Sequence, residues 1–371
     1  MRAMYILVLL PALLIPACEG DDDDGITTPC FRVGVDGVEP AGPNAVSIID
    51  GQIGFAAGGN SSFFPDEARD PQVLARTTDG INWAAIDQSP GSTFRTTPIT
   101  DIQFLDVNNG FATRRPSPLN FESNDGSLFT TDGGANWRSF SSDEFGQWRG
   151  IQFLDASNGI RRGYSGGSSS AVPALDFTND GGASWTKASL ALTDLSADSD
   201  STGVGEVVAH AYIDANNIRV LGYYRNRNFI AATTDGGANW SIVLDEGRSR
   251  QLLTDLQVLS TGEGWAVGAG FYRTTTDAGL TWTAEENSIS NKTVLRMHFF
   301  DASSGFAIVR DQIEAAGTVG QFNNLTGQFY STGDGGRTWN PTPLASVGPS
   351  NFEPGDDQRI SYWSADGDLL F

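Results

Sequence analysis

TTDGGANW (residues 130–137) recurs almost unchanged as TTDGINW (77–83), TNDGGASW (178–185), TTDGGANW (233–240), TTDAGLTW (275–282) and TGDGGRTW (332–339). Five copies fit the pattern S/T-x-D-x-G-x-N/S/T-W; the copy at 77–83 is one residue shorter between Asp79 and Trp83. The tryptophans, Trp83, Trp137, Trp185, Trp240, Trp282 and Trp339, fall 54, 48, 55, 42 and 57 residues apart. That period is the one expected of propeller blades.

Each copy lies between β-type runs, Ser127-Leu128-Phe129 before and Trp137 to Phe140 after in the second copy, so it reads as a hairpin turn. Asp132 can accept hydrogen bonds from its own turn backbone, and the paired Gly133 and Gly134 supply positive φ without steric cost. Trp137 then enters the next strand and offers a large apolar surface to the space between sheets. Two readings exist for Asp79, Asp132, Asp180, Asp235, Asp277 and Asp334: a ring of acids or calcium ligands, or turn fasteners. One copy per blade suits architecture rather than chemistry, and the fastener reading is favoured.

A second element recurs upstream of each turn, as in ITDIQFLDVNNGFAT (99–113), RGIQFLDASNGIRR (149–162), TDLQVLSTGEGWAVG (254–268) and VLRMHFFDASSGFAIV (294–309). It reads as strand, tight Asp/Asn/Gly turn, strand. With a strand leading into the repeated turn and another after the tryptophan, the unit is a four-stranded antiparallel blade. An all-β propeller follows. RISYWSADGDLLF (359–371) resembles part of a further unit, and FRVGV (31–35) could supply its fourth strand, so seven blades are expected, with six as the alternative.

Residues 1–17 read as a secretory signal: Arg2, an apolar run, then a segment ending Leu14-Ile15-Pro16-Ala17-Cys18 that resembles a bacterial lipobox. Cys18 is then the lipidated N-terminus, residues 18–29 an acidic tether with Asp21 to Asp24, and residues 30–371 a single propeller domain. The expected location is the cell envelope, anchored by lipid to the outer membrane on its periplasmic or outer side. Removing residues 1–17 takes away Arg2 and leaves 22 basic against 45 acidic residues, a net charge of −23. Such a field repels nucleic acid and excludes it as a partner. Cys30 alone remains beside Cys18, so there is no disulfide framework, and no His/Cys cluster suggests a metal; no cofactor is expected.

The short first-to-second turns and the repeated turns fall on one face, and the long, dissimilar second-to-third connections on the other. Recognition by loops on a regular scaffold points to the second face. Arg114, Arg115, Arg161, Arg162, Arg225, Arg227 and Arg310 lie at or near the ends of second strands approaching it, and Asp101 and Asp255 hold equivalent positions in first strands. Guanidinium groups suit bidentate recognition of carboxylates and phosphates; the competing reading is ion pairing between blades. His210 and His298 lie in first strands and read as structural.

The unit strand, D-x-x-x-G, strand, then T-x-D-G-G-x-x-W resembles the photosystem II stability/assembly factor family, most clearly over DLQVLSTGEGWAVGAGFYRTTTDAGLTW (255–282); the repeated turns resemble the Asp boxes of the bacterial neuraminidase repeat. The resemblance implies a seven-bladed, non-enzymatic assembly platform of the kind whose members bind protein, with an arginine patch associated with that binding. The expectation here is a monomer binding a protein or glycan of the envelope. The enzymatic alternative is a glycoside hydrolase of sialidase type, because those enzymes also carry Asp boxes. Such a site needs three arginines on the substrate carboxylate and a tyrosine with an acidic partner. The Arg-Ile-Pro signature of that family is absent, and Tyr223, Tyr224 and Glu206 are generic candidates.

Overall fold

The computed structural model describes residues 43–49, 52–58, 73–79, 83–86, 99–114, 126–140, 146–166, 171–195, 204–248, 251–310 and 328–341. Apart from one turn of 3-10 helix at Leu192–Asp194, the secondary structure described is β. Six four-stranded antiparallel sheets follow one another along the chain. Blade 1 comprises β1 (Pro43–Ile48), β2 (Gly54–Gly58), β3 (Val73–Thr77) and β4 (Trp83–Ala85). Blade 2 comprises β5 (Ile99–Phe104), β6 (Gly110–Arg114), β7 (Ser127–Thr130) and β8 (Arg138–Ser139). Blade 3 holds β9 (Gly146–Phe153), β10 (Gly159–Ser165), β11 (Val172–Thr178) and β12 (Thr186–Lys187). Blade 4 holds β13 (Gly205–Tyr212), β14 (Ile218–Tyr224), β15 (Arg227–Thr233) and β16 (Ser241–Arg248). Blade 5 runs through β17 (Leu253–Val258), β18 (Gly264–Gly268), β19 (Tyr272–Thr275) and β20 (Thr283–Ala284). Blade 6 runs through β21 (Thr293–Phe299), β22 (Gly305–Arg310), β23 (Gln328–Thr332) and β24 (Asn340–Pro341).

The chain is therefore a β-propeller with six blades among the described residues, and the expectation of seven is corrected to the six-bladed alternative. The physical reason is local. Every sheet takes its four strands from consecutive sequence, so none borrows a strand from the far end of the chain. Residues 31–35 and 359–371, from which the seventh blade was to be built, lie outside the described residues, as do Cys18 and the acidic tether.

Neighbouring blades meet through their first strands, β1 with β5, β5 with β9, β13 with β17 and β17 with β21. First strands are thus innermost and fourth strands outermost. The core lies between blades. Aromatic residues on second strands stack on those ending the next blade's first strand: Phe55 on Phe104 with ring centroids 3.5 Å apart, Phe111 on Phe153 at 3.6 Å, and Trp265 on Phe299 at 3.4 Å. The repeated tryptophans close the same joints edge-on, Trp137 against Phe104, Trp185 against Phe153 and Trp339 against Phe299. Trp240 is buried in the joint between blades 3 and 4, while Trp185 and Trp282 are only partly covered. Trp83 opens β4, and its side chain lies outside the described residues. Blade 4 departs from the aromatic pattern: its second strand carries Arg219, which is buried and donates to the carbonyls of Thr233 and, on blade 5, Ala278.

Candidate functional site

The repeated turns are internally satisfied. Thr130 Oγ1 donates to Asp132 Oδ1 (2.9 Å) and accepts from the Gly134 amide (3.0 Å). Asp132 in turn accepts from the Asn136 amide (2.9 Å) and from Asn136 Nδ2 (2.7 Å). Gly133 and Gly134 take φ of 70° and 91°, which the reversal requires. The network repeats around Asp180, Asp235, Asp277 and Asp334, and Thr77 donates to Asp79 in the shorter copy. Hydrogen bonds from Ser184 and Thr338 hold Asp180 and Asp334 down to about 2, so both stay ionised while their oxygens serve the turn. Among the described residues no group of three or more His, Cys, Asp or Glu side chains is placed to hold a metal ion.

These turns share a face with the first-to-second turns and bond to them. The Gly133 amide donates to the Asn108 carbonyl (2.9 Å), Gly181 to Ser157, Gly236 to Asn216, Ala278 to Gly262 and Gly335 to Ser303. The opposite ends of the blades carry the connections 59–72, 115–126, 166–171, 225–226, 269–271 and 311–327, which differ from one another in length.

Among the described residues, the predicted arginines do not gather into one patch on that face. Arg161 is corrected outright: it sits inside β10 and is 1% exposed. Its Nε and Nη2 donate to Asp176 Oδ2 (3.0 and 2.7 Å) and its Nη1 to Ser127 Oγ on blade 2 (3.0 Å). The guanidinium lies between the rings of Trp148 (4.2 Å) and Trp185 (4.4 Å). It is a strut joining blades 2 and 3. Arg114, at the end of β6, is also buried. Arg227 forms a two-point pair with Asp245 within blade 4 (3.0 and 2.7 Å). Arg115 and the side chain of Arg310 lie outside the described residues.

Asp101 and Asp255 are staples as well. Asp101 accepts from the amides of Ile102 (3.0 Å) and, on blade 3, Ile151 (3.1 Å). Asp255 does the same with Leu256 (3.0 Å) and, on blade 6, Met297 (3.0 Å). Each follows a bulge in its strand pairing, which turns the side chain toward the next blade. Gln103 and Gln257 add a second staple, each exchanging two hydrogen bonds with the backbone of Phe153 and Phe299 respectively.

The register makes Gly150 of blade 3 and Arg296 of blade 6 equivalent to Asp101 and Asp255. A Cβ on Gly150 would lie 2.6 Å from Arg162 Cζ, so the glycine is the gap through which Arg162 reaches over the innermost strand. Arg162 and Arg296 both act on Asp101: burial raises its pKa, and the two guanidinium charges oppose that rise. At this level of the innermost strands, blades 2, 3, 5 and 6 carry Asp101, Gly150 with Arg162 across it, Asp255 and Arg296. Arg296 Nη1 donates to the Thr254 carbonyl (3.0 Å). His210 packs Nε2 2.8 Å from Gln152 Oε1, and burial, with the charge of Arg162, depresses its pKa to about 3. It is neutral at physiological pH.

Arg149, outside the sequence prediction, marks the joint of blades 3 and 4, where it meets the candidate Glu206. Arg149 on β9 approaches Glu206 on β13 at 3.9 Å and covers the ring of Tyr164 at 5.7 Å. The signal was present in the alignment of the repeats, where WRGIQF (148–153) replaces the ITDIQF (99–104) of blade 2.

No protein-family model matches the sequence, and the search of curated proteins returned no match. Solved structures do match. YCF48 bound to D1 peptide superposes with a TM-score of 0.52 at 17% identity, over 81% of this chain and 82% of that one. YCF48 from Cyanidioschyzon merolae gives 0.52 at 16% identity, over 81% and 84%. The GH74 enzyme of Niastella koreensis gives 0.44 at 13%, over 81% of this chain and 49% of that one. At these identities the likeness is one of fold.

Proposed function

We propose that this chain is a non-enzymatic β-propeller of the cell envelope, held to the outer membrane by lipid on Cys18, that binds a protein partner through its loop-rich face. The role is that of an assembly platform similar to the photosystem II assembly factor, with the repeated turns serving as Asp boxes. The observation that carries the reading is the contrast between the two faces. On one, the carboxylates are consumed by their own turns and the turns are tied to one another. On the other, stretches of chain of unequal length join the second and third strands of a regular scaffold, and recognition by rigid β folds commonly lies in such connections. The peptide bound to YCF48 lends support to a protein as the partner.

The test immobilises the full-length chain and challenges it with envelope extract. A protein retained by the wild type should be lost when connection 311–327 is replaced by a short Gly-rich link, and kept when Asp132 and Asp235 are changed to Asn. Retention with the pattern reversed would place recognition on the turn face. Turnover of a sialoside or another glycoside by the purified chain would make it a hydrolase and end the platform reading.

A further inference from the structure

Three guanidinium groups near the loop-side ends of blades 3, 4 and 5 rest on aromatic rings: Arg149 over Tyr164, Arg225 over Tyr224 at 5.0 Å, and Arg273 over Phe271 at 4.8 Å. Two of them have carboxylates nearby. Arg273 makes a two-point pair with Glu246 at 2.6 Å for each bond, and Arg149 faces Glu206 at 3.9 Å. The half-buried Arg225 differs: among the described residues its guanidinium has neither a hydrogen bond nor a carboxylate partner.

Its backbone is unusual too. Arg225 and Asn226 form the two-residue turn between β14 and β15, with φ of 51° and 60°. Both central residues of such a turn need positive φ, which Asn tolerates and Gly adopts freely, while a long side chain is disfavoured there. The turn is nevertheless firmly held. The Arg225 amide donates to the Val204 carbonyl (3.2 Å), Tyr224 pairs with Arg227 across the hairpin, and Arg227 is locked on Asp245. Folding alone would favour glycine at 225. A strained arginine on a rigid tip, stacked on a tyrosine and carrying an uncompensated charge, has the composition of a binding anchor.

We propose that Arg225 is the anchor at which the loop-rich face seats a carboxylate side chain of a protein partner that is basic overall. The proposal rests on the protein-binding reading above and supplies the partner's chemistry. A chain with a formal net charge of −22 steers cationic proteins toward itself and repels acidic ones. Within that field the Arg225 guanidinium selects, among basic partners, those presenting Asp or Glu at the hairpin tip. Its planar donors match a carboxylate at two points, and the Tyr224 ring holds the plane in place.

The experiment uses the full-length chain and two short peptides of alternating Lys and Ala, one with a single central Glu and the other with Gln in its place. Fluorescence anisotropy should show the Glu peptide binding about tenfold more tightly. That preference should vanish in Arg225→Gly and persist in Asn226→Gly, which relaxes the same turn but keeps the cation. The unfolding midpoint of Arg225→Gly should be unchanged or raised, whereas an arginine kept for structure would lower it. Equal affinity for the two peptides removes Arg225 from recognition while leaving the protein-binding reading in place. Binding of neither peptide, with uptake of free glucuronic acid that depends on Arg225, overturns both and identifies an acidic glycan as the ligand.

Discussion

Replacing Arg161 by Met is the sharpest test of how the blades are joined. The guanidinium is enclosed by Trp148 and Trp185 and donates hydrogen bonds to Asp176 and Ser127. Asp176 is itself only 4% exposed, so deleting the cation takes the Arg161 hydrogen bonds from a buried carboxylate. Breaking a buried pair by removing one partner costs about 3–5 kcal/mol. Changing both partners, Arg161→Met with Asp176→Leu, removes the charges together and should recover most of that loss, since apolar replacements of buried pairs are often neutral or better. Equilibrium urea unfolding followed by far-ultraviolet circular dichroism measures both variants. A single substitution costing under about 1 kcal/mol would show that the pair is solvated. A double variant as unstable as the single would show that the tryptophan sandwich, not the carboxylate, dominates.

Trp240→Ala should cost about 3–5 kcal/mol in the same assay, because Trp240 is 9% exposed between blades 3 and 4; Trp282→Ala, at a less covered position, should cost less. A near-neutral Trp240→Ala would contradict the packing of that joint. Acid should destabilise the propeller through the turns: hydrogen bonds within the turns hold Asp180, Asp277 and Asp334 at about 2 when folded, against an ordinary aspartate value of 3.8. Depressed carboxylates stabilise the fold above the unfolded value, and that contribution is lost as pH falls toward 2. A stability profile flat between pH 4.5 and pH 2 would show that the turn networks are not formed in solution. Cys18→Ser should move the chain from the membrane to the soluble fraction without changing its unfolding midpoint; retention in the membrane pellet would call for a different anchor.

Much of the architecture is legible in one dimension because blades are local. Each sheet is built from about fifty consecutive residues, and its turn chemistry repeats: Thr130, Asp132, Gly134 and Asn136 bond within a few residues of one another, so their spacing alone specifies the hairpin. The alternation of strands and tight turns likewise places the repeated turns and the first-to-second turns on one face. Blade number is less accessible, since it depends on whether distant segments pair.

What lies between blades only the tertiary structure decides. Arg161 and Arg162 are neighbours in sequence and looked alike, yet successive residues of a strand point to opposite faces. One enters the joint with blade 2 to meet Asp176 and two tryptophans; the other passes over Gly150 toward Asp101. Asp101 reads as an exposed acid at a channel mouth until its partner, the Ile151 amide fifty residues away, is brought beside it. A charge is a ligand site or a strut according to what the adjacent blade presents, and that pairing is a property of three-dimensional contact rather than of spacing along the chain.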